Sequence, residues 1–388
     1  MEKNIFDCLK ERGFIDNVTS EELREALKTP IKVYIGFDPT SDSLHLGSLV
    51  GIVLLGWFQR YGHTPVIILG GGTGKIGDPS GKSKERPLLD DETLAKNRRG
   101  IQKNFERVLD FSHPTASPLI LNNDDWLSKW SLIDFLREIG KYFRVGTMLS
   151  KESVRSRIDS EEGMSFTEFT YMLLQAYDFY HLFVEEGVAL QMGGSDQWGN
   201  ITAGVELIRR LSRNRAFGLT HPLITRSDGK KFGKTEEGAI WLSSEKLSPY
   251  QFYQYIVRIP DADVITLMRL LTYMDMEEIA EYEKSMSRVD YLPNLAQKRL
   301  ATEITRMVHG EEGLKAAIRV TEAALPGAKS TLDPERLKEI ASDIPHHTLS
   351  LEEVIAQKYI DILLKLALVT SKGEATRLIQ NGGAYLNE

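Results

Sequence analysis

"YIGFDPTSDSLHLGSLVGI", Tyr34 to Ile52, carries an apolar run into Gly-Phe-Asp-Pro-Thr, and then through a short polar turn into His-Leu-Gly-Ser. The run from Ile31 to Phe37 reads as a short strand. The stretch after the histidine places Leu49, Ile52, Val53 and Leu55 on or near one face of a helix. "TPVIILGG", Thr64 to Gly71, reads as the next strand. Strand, helix and strand within about 40 residues make a βαβ unit, with parallel strands and a right-handed crossover. A fold needs a turn at this hinge, but it does not need a histidine there.

Working outward, "SPLILNN" (Ser117 to Asn123) offers a further strand. "VALQMGG" (Val188 to Gly194) offers another, followed by a helix from about Gln197 to Leu211. The chain between about Asp90 and Glu162 is charged and mostly helical, and interrupts the sheet. After Pro222 the texture changes. "TRSDGKKFGKTEEG" is a polar, glycine-rich loop, and from Ser248 to about Leu325 the pattern is helical. "ALPGAKSTLDPE" breaks that pattern with Pro326, Gly327 and Pro334. Two short helical patterns close the chain. The fold class is α/β. The expected divisions are a parallel-sheet domain over 1–222 with an insertion at about 90–162, a loop over 223–247, a helical domain over 248–325, a linker over 326–348 and a small module over 349–388.

The totals narrow the function. One cysteine, Cys8, rules out an internal disulfide framework and any cysteine-cluster metal site. The net charge of −7 argues against a protein coated by duplex nucleic acid, though not against an RNA held by local basic patches. No apolar run reaches the roughly 18 residues of a membrane span. The opening "MEKNIFDCLKERGF" does not read as a secretory leader. The expected compartment is the cytoplasm, or an organelle matrix.

Five stretches carry candidate chemistry. In "HLGS", Ser43 is expected to cap the helix. Free amides, the helix dipole and His45 would then face a polyphosphate, with Gly47 allowing close approach. Alone, His-x-Gly is also what a capping residue and a packing glycine look like. "GGGTGKIGDPSGKSKERP" (Gly70 to Pro87) is not a P-loop, because Ile76 stands where Gly81-Lys82-Ser83 would require a glycine. It remains a loop in which Lys82, Lys84 and Arg86 close over anions or simply face solvent, with Asp78 near the strand end. Tyr171, Gln175 and Asp178, spaced by four and three, share one helix face. Burying that face is unfavourable unless something polar docks there. "MGGSDQWGN" (Met192 to Asn200) joins a strand to a helix, where open α/β sheets bind ligands. Lys231, Lys234 and Thr235 in "KKFGKTEEG" suit a phosphate-facing loop or a solvated turn.

Together these stretches resemble the class I aminoacyl-tRNA synthetases of the bacterial and organellar tyrosyl type. "HLGS" is similar to the family's His-Ile-Gly-His signature and "KFGKT" to its Lys-Met-Ser-Lys-Ser loop. "YIGFDPTSDSLHLG", "GDPSGKSKER", "FTYMLLQAYDF" and "GGSDQWGNITAG" are more specific still. The resemblance implies a Rossmann-like catalytic domain, an α-helical anticodon-binding domain and a partial small RNA-binding module. It also implies ATP with Mg2+ as substrate, no bound organic cofactor, L-tyrosine and tRNA(Tyr) as partners, a homodimer and no membrane.

Carried over by position, the resemblance puts Tyr34 and Asp178 at the substrate phenol. Asp78, Tyr171 and Gln175 fall at its α-amino group and Gln197 near its carboxylate. Asp38, Gly194 and Asp196 would line the aminoacyl and ribose side. Thr40, His45, Lys82, Arg86, Lys231, Lys234 and Thr235 would surround the phosphates, beside Gly47 and Ser48. Ser48 stands where the signature has its second histidine. "TSKGEATRLIQNGGAYLN" resembles the opening of the family's C-terminal module, whose completing strands would lie beyond Glu388. Two other readings remain at this stage: another adenylylating nucleotidyltransferase, and a non-catalytic RNA-binding relative.

Overall fold

The computed structural model describes residues 4–82, 88–159, 163–227, 229, 232–235, 238–323, 349–355 and 357–384. Six strands form its main sheet: β1 (Asn17–Val18), β2 (Lys32–Phe37), β3 (Thr64–Leu69), β4 (Leu119–Asn122), β5 (Val188–Gly194) and β6 (Phe217–His221). Their order is β1-β6-β5-β2-β3-β4. Every neighbouring pair is parallel except β1 with β6. From β2 the chain builds outward through β3 and β4, then returns to place β5 on the other side of β2. That reversal opens a crevice at the carboxyl ends of β2 and β5.

The principal helices are α1 (Ile5–Arg12), α2 (Leu49–Arg60), α3 (Asp91–Val108), α4 (Phe166–His181), α5 (Trp198–Ser212), α6 (Pro249–Val257), α7 (Asp261–Leu271), α8 (Met276–Met286) and α9 (Leu295–Ala323). The expected βαβ unit is β2-α2-β3. Within 90–162, α3 is a crossover helix, the strand expected at Ser117–Asn123 is β4, and short helices run from Asp124 to Ile158. Arg157 ties those helices to α4 through a buried two-pronged pair with Glu168, at 3.0 and 2.9 Å. Two strands, β1 and β6, carry no clear pattern in the sequence. β1 is only two residues long, and the turn-flanked "FGLTH" of β6 alternates weakly.

Helix α2, "LVGIVLLGWFQR", is apolar almost all round because it is covered on both sides. One face packs on the sheet and the other meets α7 and Tyr273. The sheet, α2 and the helices from α6 to α9 therefore share one continuous core, from Ile5 through Ile52 and Ile67 to Phe252, Leu300 and Ala317. Helix α9 breaks at Gly310, whose φ of 72° lies where a side chain would be strained, so its second half is re-aimed. Leu351–Val354, Tyr359–Lys365 and Lys372–Gln380 are short helices, the last two packed around Leu363, Val369 and Ala375.

Arg12 fastens the N-terminal helix to this core. Its guanidinium donates to the carbonyls of Arg269 (3.0 Å), Met274 (2.8 Å) and Thr272 (2.9 Å), at the end of α7. It also lies 4.4 Å from the Trp57 ring centre. Arg12→Met would leave three carbonyls without these donors. It is expected to lower unfolding stability by about 3 kcal/mol in a urea titration followed by circular dichroism. A change below about 0.5 kcal/mol would show the carbonyls to be solvated instead.

Candidate active site

The crevice above β2 and β5 is lined by side chains from four elements. Tyr34 rises from β2, buried, and its hydroxyl has no hydrogen-bond partner among the described residues. Burial, followed by the nearby Asp178 charge, pushes its phenol well above the ordinary range. Asp178 comes from α4 and is also buried. Its Oδ1 accepts from Trp126 Nε1 at 2.7 Å and its Oδ2 from Asn123 Nδ2 at 2.9 Å. Burial raises the Asp178 carboxyl to about 7, although the two donors pull it back down.

From Asp178 a chain of bonds runs across the sheet ends. Asn123, at the end of β4, also donates to Thr73 Oγ1 at 2.8 Å and accepts from the Gly72 amide at 2.8 Å. Thr73 donates to Asp38 Oδ1 at 2.7 Å, and Tyr171 donates to Asp38 Oδ2 at 2.9 Å. A second cluster centres on buried Asn200 in α5, whose amide donates to Gln175 Oε1 (2.9 Å) and lies 3.3 Å from both Ser80 Oγ and Gln197 Oε1. Gln197 in turn donates to Asp78 Oδ2 at 2.7 Å. Asp196 is raised by burial and then by the Asp78 charge. The Tyr171 phenol is raised well above the ordinary range by burial, then by Asp38 and Asp78.

So Tyr34, Asp38, Asp78, Tyr171, Gln175, Asp178, Asp196 and Gln197 converge at one crevice, beside Gly194 at the end of β5. Tyr171, Gln175 and Asp178 do share one helix, as their spacing predicts. Sequence reasoning missed Thr73, Asn123, Trp126 and Asn200, which hold the carboxylates and amides in place. Asn123 ends a strand of a parallel sheet, and Asn200 follows Gln197 by three on a helix. Those two positions are the signal available beforehand.

The histidine turn differs from expectation in its hydrogen bonds. Ser43 does not cap the helix. Its hydroxyl donates to the Leu44 carbonyl and accepts from the Ser243 amide. His45 is the capping residue, and its Nδ1 accepts from the Gly47 amide at 3.1 Å. That bond makes Nδ1 the unprotonated nitrogen and puts the ring proton on Nε2. The amides expected to be free are engaged: Leu46 donates to the Ile240 carbonyl and Ser48 to the His45 carbonyl. Thr40, exposed, turns the chain after β2, and Lys82 is also exposed. Lys234 and Thr235 form β7 (Lys234–Thr235), paired antiparallel with β8 (Gly238–Ala239). Arg86, Lys231 and the side chains of Lys234 and Thr235 lie outside the described residues.

A family profile described as "tRNA synthetases class I (W and Y)" matches residues 26–326. The chain belongs to the class I tRNA synthetases. This class I synthetase is 59% identical over 384 residues to a tyrosine–tRNA ligase of Protochlamydia amoebophila, across 99% of this chain and 90% of that one. It is 52% identical to a chloroplastic/mitochondrial tyrosine–tRNA ligase of Arabidopsis thaliana, across 99% of this chain and 76% of the relative. Among solved structures it superposes on a C-terminally truncated mitochondrial tyrosyl-tRNA synthetase of Aspergillus nidulans with a TM-score of 0.74. The identity there is 29%, over 84% of this chain and 95% of the other.

Because burial raises Asp178 from 3.8 to about 7, the folded chain binds this proton more tightly than the unfolded one. Its contribution to stability therefore falls as pH rises through that window. Asn123→Ala removes a donor that favours the charged form. It should strengthen proton binding at Asp178 by roughly tenfold, read as a higher midpoint in a carbon-13 carboxyl titration. An unmoved midpoint would show that Trp126 alone sets the charge.

Proposed function

We propose that this chain attaches L-tyrosine to tRNA(Tyr) in two steps. Tyrosine and ATP form tyrosyl-adenylate with release of pyrophosphate, and the aminoacyl group then passes to the 3'-terminal adenosine ribose with release of AMP. The observation that carries this reading is the unpartnered Tyr34 hydroxyl facing a crevice shared with the buried Asp178 carboxylate. A phenol entering there donates to Asp178 and accepts from Tyr34, satisfying both. Phenylalanine would leave them unpaired, which is the strongest kind of discrimination a pocket achieves without editing.

Asp78, Tyr171 and Gln175 take the α-amino group, and Gln197 lies by the carboxylate. Asp38, Gly194 and Asp196 follow the aminoacyl and ribose side, and Gly47 and Ser48 lie beside the phosphates. The carboxylate of tyrosine is already a nucleophile at neutral pH, so the first step needs no general base. What it needs is in-line placement against the α-phosphorus and neutralisation of charge growing on the leaving phosphates. His45, donating through Nε2, and Thr40, Lys82, Arg86, Lys231, Lys234 and Thr235 supply that neutralisation. Among the described residues no group of three His, Cys, Asp or Glu is placed to hold a metal ion. Mg2+ would act on the ATP phosphates, where it would add positive charge. In the second step the ribose hydroxyl attacks the adenylate carbonyl and AMP leaves.

ATP–pyrophosphate exchange measured with each of the twenty amino acids tests the reading. Exchange is expected with tyrosine alone; exchange driven by another amino acid, or none from folded protein, would defeat it.

Exposed apolar residues on the inserted helices and at the start of α4 support a homodimer. Leu132 and Ile133 are each 71% exposed and Phe166 is 74% exposed, with Leu136, Val145 and Leu149 also exposed. That is more apolar surface than a solvated helix pair carries, and a two-fold interface would cover it. The assigned compartment is the cytoplasm, with an organelle matrix as the other setting of such enzymes. Among the described residues no helix is long and apolar enough to cross a membrane. Light scattering at micromolar concentration should give twice 43.9 kDa, and a value near 43.9 kDa at every concentration would remove the dimer.

A further inference from the structure

We infer that Tyr255, a residue of the helical domain outside the reacting crevice, is a positioning residue for the lysine loop. This inference rests on the function proposed above and extends it to a residue that touches no substrate. Tyr255 lies in α6, and its hydroxyl accepts from the Gly233 amide at 3.1 Å. Gly233 sits between Phe232 and Lys234, with φ at 77°. Its carbonyl accepts from the Ile240 amide at 2.9 Å, and the Ile240 carbonyl accepts from the Leu46 amide at 2.7 Å. Both backbone polar groups of Gly233 are thus held, the amide by the helical domain and the carbonyl by Ile240, whose own carbonyl bonds the histidine turn. A Cβ at Gly233 would lie 2.8 Å from the Gly47 nitrogen, so this is also where loop and turn touch.

The neighbours make the anchor firm. Phe232 is buried in the main core, and its ring centre lies 6.3 Å from that of Tyr255. Helix α6 is itself fixed, through Gln254 donating to Thr321 at 2.8 Å and the Phe252 ring edge-on to His309 at 4.8 Å. Lys234 is the next residue along, so the hydroxyl of Tyr255 sets where its backbone starts relative to His45. Phenylalanine at 255 would keep the ring packing and lose only the acceptor.

The test uses the full chain and Tyr255→Phe. Stopped-flow measurement should show adenylate formation slowed by about tenfold, with tyrosine affinity within about twofold of wild type. Added to Lys234→Ala, the same change should cost no more than about a further twofold, because both act through one loop. Amide hydrogen exchange at Gly233 should accelerate in Tyr255→Phe. A wild-type activation rate, an equal loss of tyrosine binding, or full additivity with Lys234→Ala would each overturn the inference. The two readings fail separately. A wild-type chain without tyrosine-dependent exchange sinks the proposed function, whereas unchanged Gly233 protection sinks the Tyr255 contact whatever the activity.

Discussion

Asn123 donates to a carboxylate, and much of the crevice is arranged around that bond. Asp178 is buried with two N–H donors and, among the described residues, no ion-pair partner. A carboxylate so placed keeps its charge only while its donors stay aimed at it. Asn123 meets that condition by being fastened itself, to the Gly72 amide and to Thr73. Thr73 then fixes Asp38, and Asp38 fixes Tyr171. The ends of β2, β3 and β4 and the face of α4 are thereby locked into one polar network, with the Tyr34 hydroxyl as its unfilled position. Low polarity strengthens each bond in such a chain and makes any gap expensive, so a ligand with the right donor is bound by completing it.

The histidine turn is built differently. There the backbone does the work: Leu46, Gly47 and Ser48 have their amides engaged within the turn or by the strand from Gly238 onward. The glycine-rich lysine segment is thus joined edge to edge with the histidine turn, at the isolated bridge between His45 and Trp241. Two segments nearly 200 residues apart in sequence form one small structure, and both side chains and peptides contribute to it. Replacing the second signature histidine by Ser48 leaves that backbone arrangement in place, since Ser48 enters it through its amide.

How much of this was legible beforehand depended on periodicity and on chain distance. β2, α2 and β3 were readable because the alternation and the helical stripe are strong and local. The acidic and amide residues of α4 were readable because their spacing of four and three is itself geometry. Asn123, Trp126 and Thr73 were not, since their meaning lies in contacts with residues about 50 positions away. Ser43 illustrates the opposite error. Its local pattern suits a cap, but the Ser243 amide, 200 residues on, takes its oxygen instead. β1 and β6 escaped because a two-residue edge strand and a five-residue buried one leave little pattern to count.

Arg12 sets the order in which the chain can be finished. Its partner carbonyl on Met274 lies 262 residues later in the sequence. At ordinary translation speeds the ribosome needs on the order of tens of seconds to supply it. Until then the outer face of α2 lacks the α7 helix that covers it in the finished fold. The sheet emerges first yet stays open at its back until α7 arrives. The covering of α2 by the helical domain is thus a contact between distant parts of the chain, and it is complete only once residue 274 has been made.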